Sequence, residues 1–336
     1  MSDRHAAASR EWKIETPLAG PLLLLGTAVA LAAAPFYADT STLRLMVEVL
    51  AMIAMAQAWN LLAGYTGFVS VGQQAFIGIG AYGLFLFAIK AGISPFVAVF
   101  LGGLVAAGIG VLAAPALFHL RGPYFAIGTW VLAELFRIFI TNNAWFGGAS
   151  GLTLAQAVRG MPMSYRTNAT YWIALAVAVL SIAAIYVLLR SRFGLAIRTV
   201  RDNEASAESV GVNVRGVKLA VFVLSAFITG CAGAVAYLNT MFVSTGAAFS
   251  VDWSALIIFV VIIGGLGTIE GPIIGALIYF ALREWLADFG TWYVITLGII
   301  AIAVMVLAPN GLWGSLMRRM KFRLFPAETR LRRNGD

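Results

Sequence analysis

Charge is scarce in this sequence. Of its 336 residues only 11% are Asp, Glu, Lys or Arg, against about a quarter in ordinary soluble domains, which excludes a conventional water-soluble fold. One cysteine, Cys231, and two histidines, His5 and His119, support neither a disulfide framework nor a His/Cys metal cluster, so no metal site is expected. Catalytic motifs are missing as well. No Gly-Lys dipeptide occurs, which excludes a phosphate-cradling P-loop. Neither a Gly-x-Ser-x-Gly elbow nor a His-Glu-x-x-His helix is present. Basic residues are not interleaved with aromatics for base stacking, so the net charge of +8 does not point to nucleic acid. No catalytic residue and no cofactor is expected, and an enzyme is disfavoured.

Apolar residues fill the space. The chain is 61% hydrophobic with a mean hydropathy of +0.89. A span needs roughly 20 apolar residues, and such runs occur at about 17–37, 43–62, 68–89, 95–118, 123–140, 171–189, 219–243, 254–282 and 291–307. The expected fold class is therefore all-α, a polytopic integral membrane protein with its transmembrane body over 17–308.

Lys and Arg gather on the cytoplasmic side of membranes. The two densest clusters are Arg190, Arg192, Arg198, Arg201, Arg215 and Lys218, in a central loop over 190–218, and Arg318, Arg319, Lys321, Arg323, Arg330, Arg332 and Arg333, in a basic tail over 309–336. Both are placed inside. Six runs precede the central loop, so the polar residues 1–16, read as an uncleaved tail carrying Arg4, Arg10 and Lys13, are also cytoplasmic. Arg121 falls inside; Arg44, Lys90, Arg137, Arg159, Arg166 and Arg283 fall outside or near the outer edge. Parity then requires the stretch 254–282 to cross twice or not at all. Its middle, from Gly264 through Gly265, Leu266, Gly267, Thr268, Ile269, Glu270 and Gly271 to Pro272, is full of helix breakers. It reads either as a re-entrant hairpin or as two short helices joined there, so short or broken helices are expected around 254–287 and the total is eight to ten transmembrane helices. Non-helical backbone at membrane depth survives only inside protein or beside water. That makes Gly264, Gly265, Gly267, Thr268 and Glu270 candidates to line a pathway, with a plain cytoplasmic turn as the alternative.

Other features carry two readings each. Gly102, Ala106 and Gly110, and likewise Gly26, Ala30 and Ala34, recur every four residues and suit close helix packing. In the central loop Asp202 or Asn203 is suited to cap a short helix that Gly211 would stop. Docking to a partner and a solvated loop that sets topology are equally open there. Asn60, Ser70, Gln73 and Gln74 place hydrogen-bonding groups in apolar surroundings, where they need partners or water. They serve either helix–helix bonding or a polar solute's route. Glu134 and Arg137 stand three apart on one helix and Glu48 lies in the second run. Intramembrane charges default to function, yet a pair at that spacing also neutralises itself. Polarity inside apolar runs selects Asn60, Gln73, Gln74, Thr129 and Glu134 as candidate pathway residues.

A set of separated segments, spread from Trp59 to Gly314, has a family resemblance: 60–67 and 78–82, 121–127, 147–152, the central loop running into 218–222, 230–234, 264–276, and Ala308-Pro309-Asn310-Gly311-Leu312-Trp313-Gly314. In that order they resemble the permeases of bacterial branched-chain amino-acid ABC importers, the LivM type. The resemblance implies an inner-membrane subunit with four kinds of company: a LivH-like second permease, two cytoplasmic ATPase subunits, a periplasmic binding protein and the lipid bilayer. The missing P-loop then follows, because partners hydrolyse the ATP. It also implies that Arg198 through Gly211 is a coupling helix in an ATPase groove, with Arg198, Arg201, Asp202, Glu204, Ala207, Glu208 and Gly211 as its residues. Where many relatives have a His after the Ser-x-Gly of the early motif, this chain has Gln73 and Gln74. Cargo in related permeases extends to urea, short amides and other amino acids. A stand-alone secondary transporter or channel is the reading from another class.

Overall fold

The computed structural model describes residues 13–14, 19–286, 292–308, 311–320 and 331–332. Nearly all of the tail at 1–16, much of the basic tail over 309–336, and Pro309 and Asn310 of the last motif lie outside the described residues. The chain is a bundle of helices: α1 (Ala19–Ala32), α2 (Thr40–Asn60), α3 (Gln73–Lys90), α4 (Pro95–Leu117), α5 (Pro123–Thr141), α6 (Met163–Arg190), α7 (Arg192–Asp202), α8 (Glu204–Ser209), α9 (Val214–Thr240), α10 (Thr245–Ala248), α11 (Val251–Gly264), α12 (Glu270–Leu286), α13 (Trp292–Leu307) and α14 (Gly311–Met320). Among the described residues seven segments are long and apolar enough to cross a membrane by length and composition. With the all-α fold this makes a multi-pass membrane protein.

Local chemistry sets the helix ends. Asp39 caps α2 by accepting from the Ser41 and Thr42 amides; its carboxyl is held below the usual range, chiefly by the Thr42 hydroxyl. Pro95 and Pro123 open α4 and α5, where a missing N–H leaves nothing unsatisfied. Two expected boundaries shift. The third apolar run becomes helical only at Gln73, five residues after its first apolar residue, because 67–72 is non-helical. The stretch 254–282 resolves into two helices, α11 and α12, packed on each other. Their contact depends on missing side chains: a Cβ on Gly264 would lie 1.8 Å from the Gly271 carbonyl oxygen, and one on Gly275 would lie 1.9 Å from that of Val260.

The same device builds the centre. A Cβ on Gly80 of α3 would lie 2.1 Å from the Gly230 oxygen of α9, and one on Gly102 of α4 would lie 2.3 Å from the Gly80 oxygen. Gly103 faces the Cys231 sulfur, and Ala106 meets Gly230. Three backbones thus come into direct contact, which gives the packing energy that lipid, as apolar as leucine, cannot supply through a hydrophobic effect. Of the two expected small-residue stripes, 102–110 packs in this way. Gly26 and Ala30 of the other are exposed, with nothing within 4 Å of a Cβ on Gly26. The second span is 78% buried and α5 only 22%, so α2 is central and α5 peripheral.

Gly80→Ala should therefore lower unfolding stability in mixed micelles by about 2 kcal/mol through overpacking. Gly108→Ala, whose added Cβ meets nothing within 4 Å, should be neutral or slightly stabilising. Equal midpoints for the two variants would contradict this account of the core.

Candidate functional site

Two breaks in helical structure meet inside the bundle. At the end of α2 the chain passes through a π-helical turn, Leu61–Tyr65, a distortion often found at functional sites, and runs non-helically to α3. The second break, 265–269, separates α11 from α12. Gly265 and Gly267 have φ of +137° and +75°, a region that only glycine enters without strain. Broken helices leave orphan amides and carbonyls, and α2 supplies partners for them. The Asn60 side-chain oxygen accepts from the Gly267 amide at 2.8 Å, and its Nδ2 donates to the Thr268 oxygen at 2.8 Å. One turn earlier Gln57 Nε2 donates to the Ile269 oxygen at 2.6 Å. Gly64 lets the two breaks touch, since a Cβ there would lie 2.3 Å from Asn60 Oδ1 and 2.7 Å from the Gly267 nitrogen. The Thr268 hydroxyl closes the second break locally, donating to the Gly265 oxygen and accepting from the Gly271 amide. Glu270, buried, opens α12, where the helix dipole favours a carboxylate.

A second polar knot lies at the start of α3. Trp59 Nε1 donates to the Ser70 oxygen at 2.7 Å, tying the first break to α2. The Gln73 amide donates to the Ser254 hydroxyl at 3.1 Å, that hydroxyl donates to Gln74 Oε1, and Thr229 donates to Gln73 Oε1 at 3.2 Å. Thr129 of α5 accepts from the Val71 amide at 3.2 Å and donates to the Ala126 oxygen. Asn60, Gln73, Gln74 and Thr129 are all buried. The Asn60, Gln73 and Gln74 side-chain oxygens and the Thr129 hydroxyl each accept a hydrogen bond from another segment of the chain, while Gln73 Nε2 is buried and has no partner.

Glu134 stands apart. It forms a two-pronged ion pair with Arg137, and both side chains are about two-fifths exposed on peripheral α5. The five candidate pathway residues therefore do not share one wall: three gather at the start of α3, Asn60 joins the breaks, and Glu134 faces outward. Glu48 pairs instead with Arg283 of α12 at 2.8 Å.

The central loop differs from the single helix expected over 198–211. Asn203, extended at φ −163°, divides it into α7 and α8, and its side chain caps α8 by accepting from the Ser206 amide. Arg198, Arg201 and Asp202 belong to α7, and Glu204, Ala207 and Glu208 to α8, while Gly211 follows with φ +84°. Gly194, Ile197 and Val200 bury one face of α7 against the spans. From α7 the Arg201 side chain reaches both breaks: a Cβ on Gly67 would lie 3.9 Å from its Cγ, and one on Gly267 would lie 3.9 Å from its Nη1. Helix α8 buries only Ala207. It is held by Lys218 of α9, whose ammonium lies 2.6 Å from the Glu204 carboxylate and 4.8 Å above the Phe68 ring.

Gln57, Thr229 and Ser254 are the participants that sequence reasoning missed. Gln57 had a signal, since it stands three residues before Asn60 on one helix face. Ser254 and Thr229 are small hydroxyls inside apolar runs and had none.

Comparison with known proteins adds a family. Residues 41–309 match the model of the family described as branched-chain amino acid transport system / permease component. The chain is 29% identical over 316 residues to the high-affinity branched-chain amino acid transport system permease protein LivM of Escherichia coli (strain K12), covering 87% of this chain and 74% of that protein. It is 26% identical over 165 residues to a probable LivM of Methanocaldococcus jannaschii, covering 49% and 48%. It is also 30% identical over 176 residues to the ribose import permease protein RbsC of Escherichia coli (strain K12), covering 51% of each.

Asn60→Leu leaves the Gly267 amide and the Thr268 carbonyl unpaired and should lower unfolding stability by about 2 kcal/mol. Asn142→Leu, at an exposed position bonded only within its own helix, should change it by less than about 0.5 kcal/mol. A thermal or denaturant midpoint for Asn60→Leu equal to wild type would show that the breaks stand without this side chain.

Proposed function

This chain belongs to the family of branched-chain amino acid transport system permease components, and from that premise we propose that it spans the bacterial inner membrane as one subunit of an ATP-driven importer of branched-chain or related hydrophobic amino acids. A permease subunit is not an enzyme. In this reading both termini are cytoplasmic, one of two ATPase subunits grips the α7–α8 segment, a LivH-like permease completes the conduit, and a periplasmic binding protein delivers cargo. The long similarity to LivM supports the amino-acid cargo. The shorter similarity to a ribose import permease supports a second reading, another small polar cargo on the same machinery.

The observation that carries the proposal is the placement of Arg201. One residue on α7 lies close to both helical breaks, so movement of the α7–α8 unit bears on the ends of α2 and α11. Residues Arg198 through Gly211 couple nucleotide-driven closure to those breaks. Asn60, Gln73, Gln74 and Thr129 form the closed side of the pathway in this conformation, and the 264–270 turn backs them. Glu134, on the outward face of α5, belongs to the part of the pathway that the second permease completes; a half-exposed ion pair is costly against lipid.

Two experiments test this. Proteoliposomes holding the whole complex should take up leucine with ATP, and the chain alone should take up none; uptake by the chain alone would replace the importer with a self-sufficient carrier. Glu208→Lys, on the exposed face of α8, should reduce transport-stimulated ATPase activity about tenfold, equivalent to about 1.4 kcal/mol of docking. Gly211→Pro, which cannot take φ +84°, should do the same. Normal stimulated turnover in both variants would show that the loop only sets topology.

A further inference from the structure

At the end of the bundle away from α7 and α8, where α2 and α6 begin and α9 finishes, lies a small polar pocket of about 40 Å³. Arg44 of α2, Arg166, Thr167 and Thr170 of α6 and Asn239 of α9 line it, and among the described residues that line it none is acidic. The α6 spacing 166, 167, 170 brings its three side chains to one side of the first two turns. Two of their polar atoms are unsatisfied: Arg166 Nε and Thr170 Oγ1 are buried without a hydrogen-bond partner, and Thr170 is only 2% exposed. Buried polar groups are nearly always bonded, so an orphan guanidinium N–H beside an orphan hydroxyl marks a missing partner. The nearby start of α6 adds the positive end of a helix dipole. Met163, Leu238 and Met241 complete the lining, and its polar side, with two guanidinium groups and no carboxylate, suits a negatively charged oxygen. A water needs roughly 10–15 Å³ by this measure, so the volume admits a few oxygen atoms and excludes an amino acid or a sugar.

The surroundings identify the source of those oxygens. Along the same helix, on the face next to that of Arg166 and Thr170, exposed Tyr165, Trp172, Leu180 and Val187 form a stripe that runs down α6. Aromatic rings prefer the headgroup depth of a membrane, and the aliphatic residues beyond them are what acyl chains would cover. From this juxtaposition we infer that the pocket holds the phosphate of an anionic phospholipid, with Arg44 and Arg166 on its oxygens, Thr170 bonded to one of them, and the tails lying along α6. Basic pockets between membrane helices on the cytoplasmic side bind headgroups by this chemistry, and the same donors are present at this opposite end. The inference is independent of the cargo and of the coupling proposed for α8.

The test uses the purified full chain, delipidated in neutral detergent. It is titrated with dioleoylphosphatidylglycerol, with dioleoylglycerol, which has the same tails and no phosphate, and with inorganic phosphate. Bound lipid is read by native mass spectrometry and the thermal midpoint is followed in parallel. Phosphatidylglycerol should bind at least about tenfold tighter than dioleoylglycerol and raise the midpoint, and Arg166→Gln should remove about tenfold of that affinity. Thr170→Val gives a result of opposite sign in the two states. Without lipid it deletes an unpaired buried hydroxyl and should melt at or above wild type, and with phosphatidylglycerol it should gain less than wild type. Unchanged phosphatidylglycerol affinity in both variants would overturn the inference. Full stabilisation by inorganic phosphate alone would overturn the lipid as the source. Loss of binding-protein association in Arg166→Gln with lipid affinity intact would assign the pocket to a protein carboxylate instead, and the inference would fail.

Discussion

Backbone that leaves the helix inside hydrocarbon has no water to turn to, so its amides and carbonyls have to be answered by protein. Here a side chain at the edge of the first break answers for the second. Asn60 sits at the last helical residue of α2 and bonds both the amide of Gly267 and the carbonyl of Thr268. The rest of the arrangement follows from that bond. Gly64 has to lack a side chain for the two segments to come within reach, and Gly267 has to be glycine for its φ of +75°. Gln57 extends the contact by one turn, to Ile269. Because the breaks are joined to each other, a single long residue on α7, Arg201, is near both.

The contrast between the bundle's centre and its edge comes from the same scarcity of driving force. Without a hydrophobic effect between helices, close approach is the main source of cohesion, and α3, α4 and α9 achieve it by presenting glycine to glycine. Helix α5 has no comparable stripe. It keeps large apolar residues such as Trp130, Leu135 and Phe139 exposed, together with the Glu134–Arg137 pair. The centre is built to close on itself, and the periphery is built to be covered.

Much of this was legible in the residues. Apolar runs located the spans, breakers at 264–272 located the gap between α11 and α12, and four-residue spacing located the stripe on α4. Legibility failed where the determinant lies far away in sequence. The helical start at Gln73 is set by partners in other helices, Ser254 and Thr229, which no local pattern announces. The stripe on α1 has the same spacing as that on α4 but meets nothing at Gly26, because spacing shows which face is small and not what faces it. In the central loop, capping chemistry indicated a helix beginning near Asn203 but not the separate helix before it. Glu134 was grouped with Asn60 by polarity alone, and the fold sets them on different sides of the protein's interior boundary.

The division at Asn203 has a mechanical consequence. Two rigid rods joined through one extended residue act as a universal joint: thrust along the assembly passes through, and torque is largely lost at the swivel. The Lys218 ammonium, bound to Glu204 and seated on the Phe68 ring, ties the short rod to α9 through a single residue. In the coupling proposed for this segment, a load on α8 reaches α7 only through Asn203, so the angle at which a partner seats on the surface is not imposed as twist on the spans.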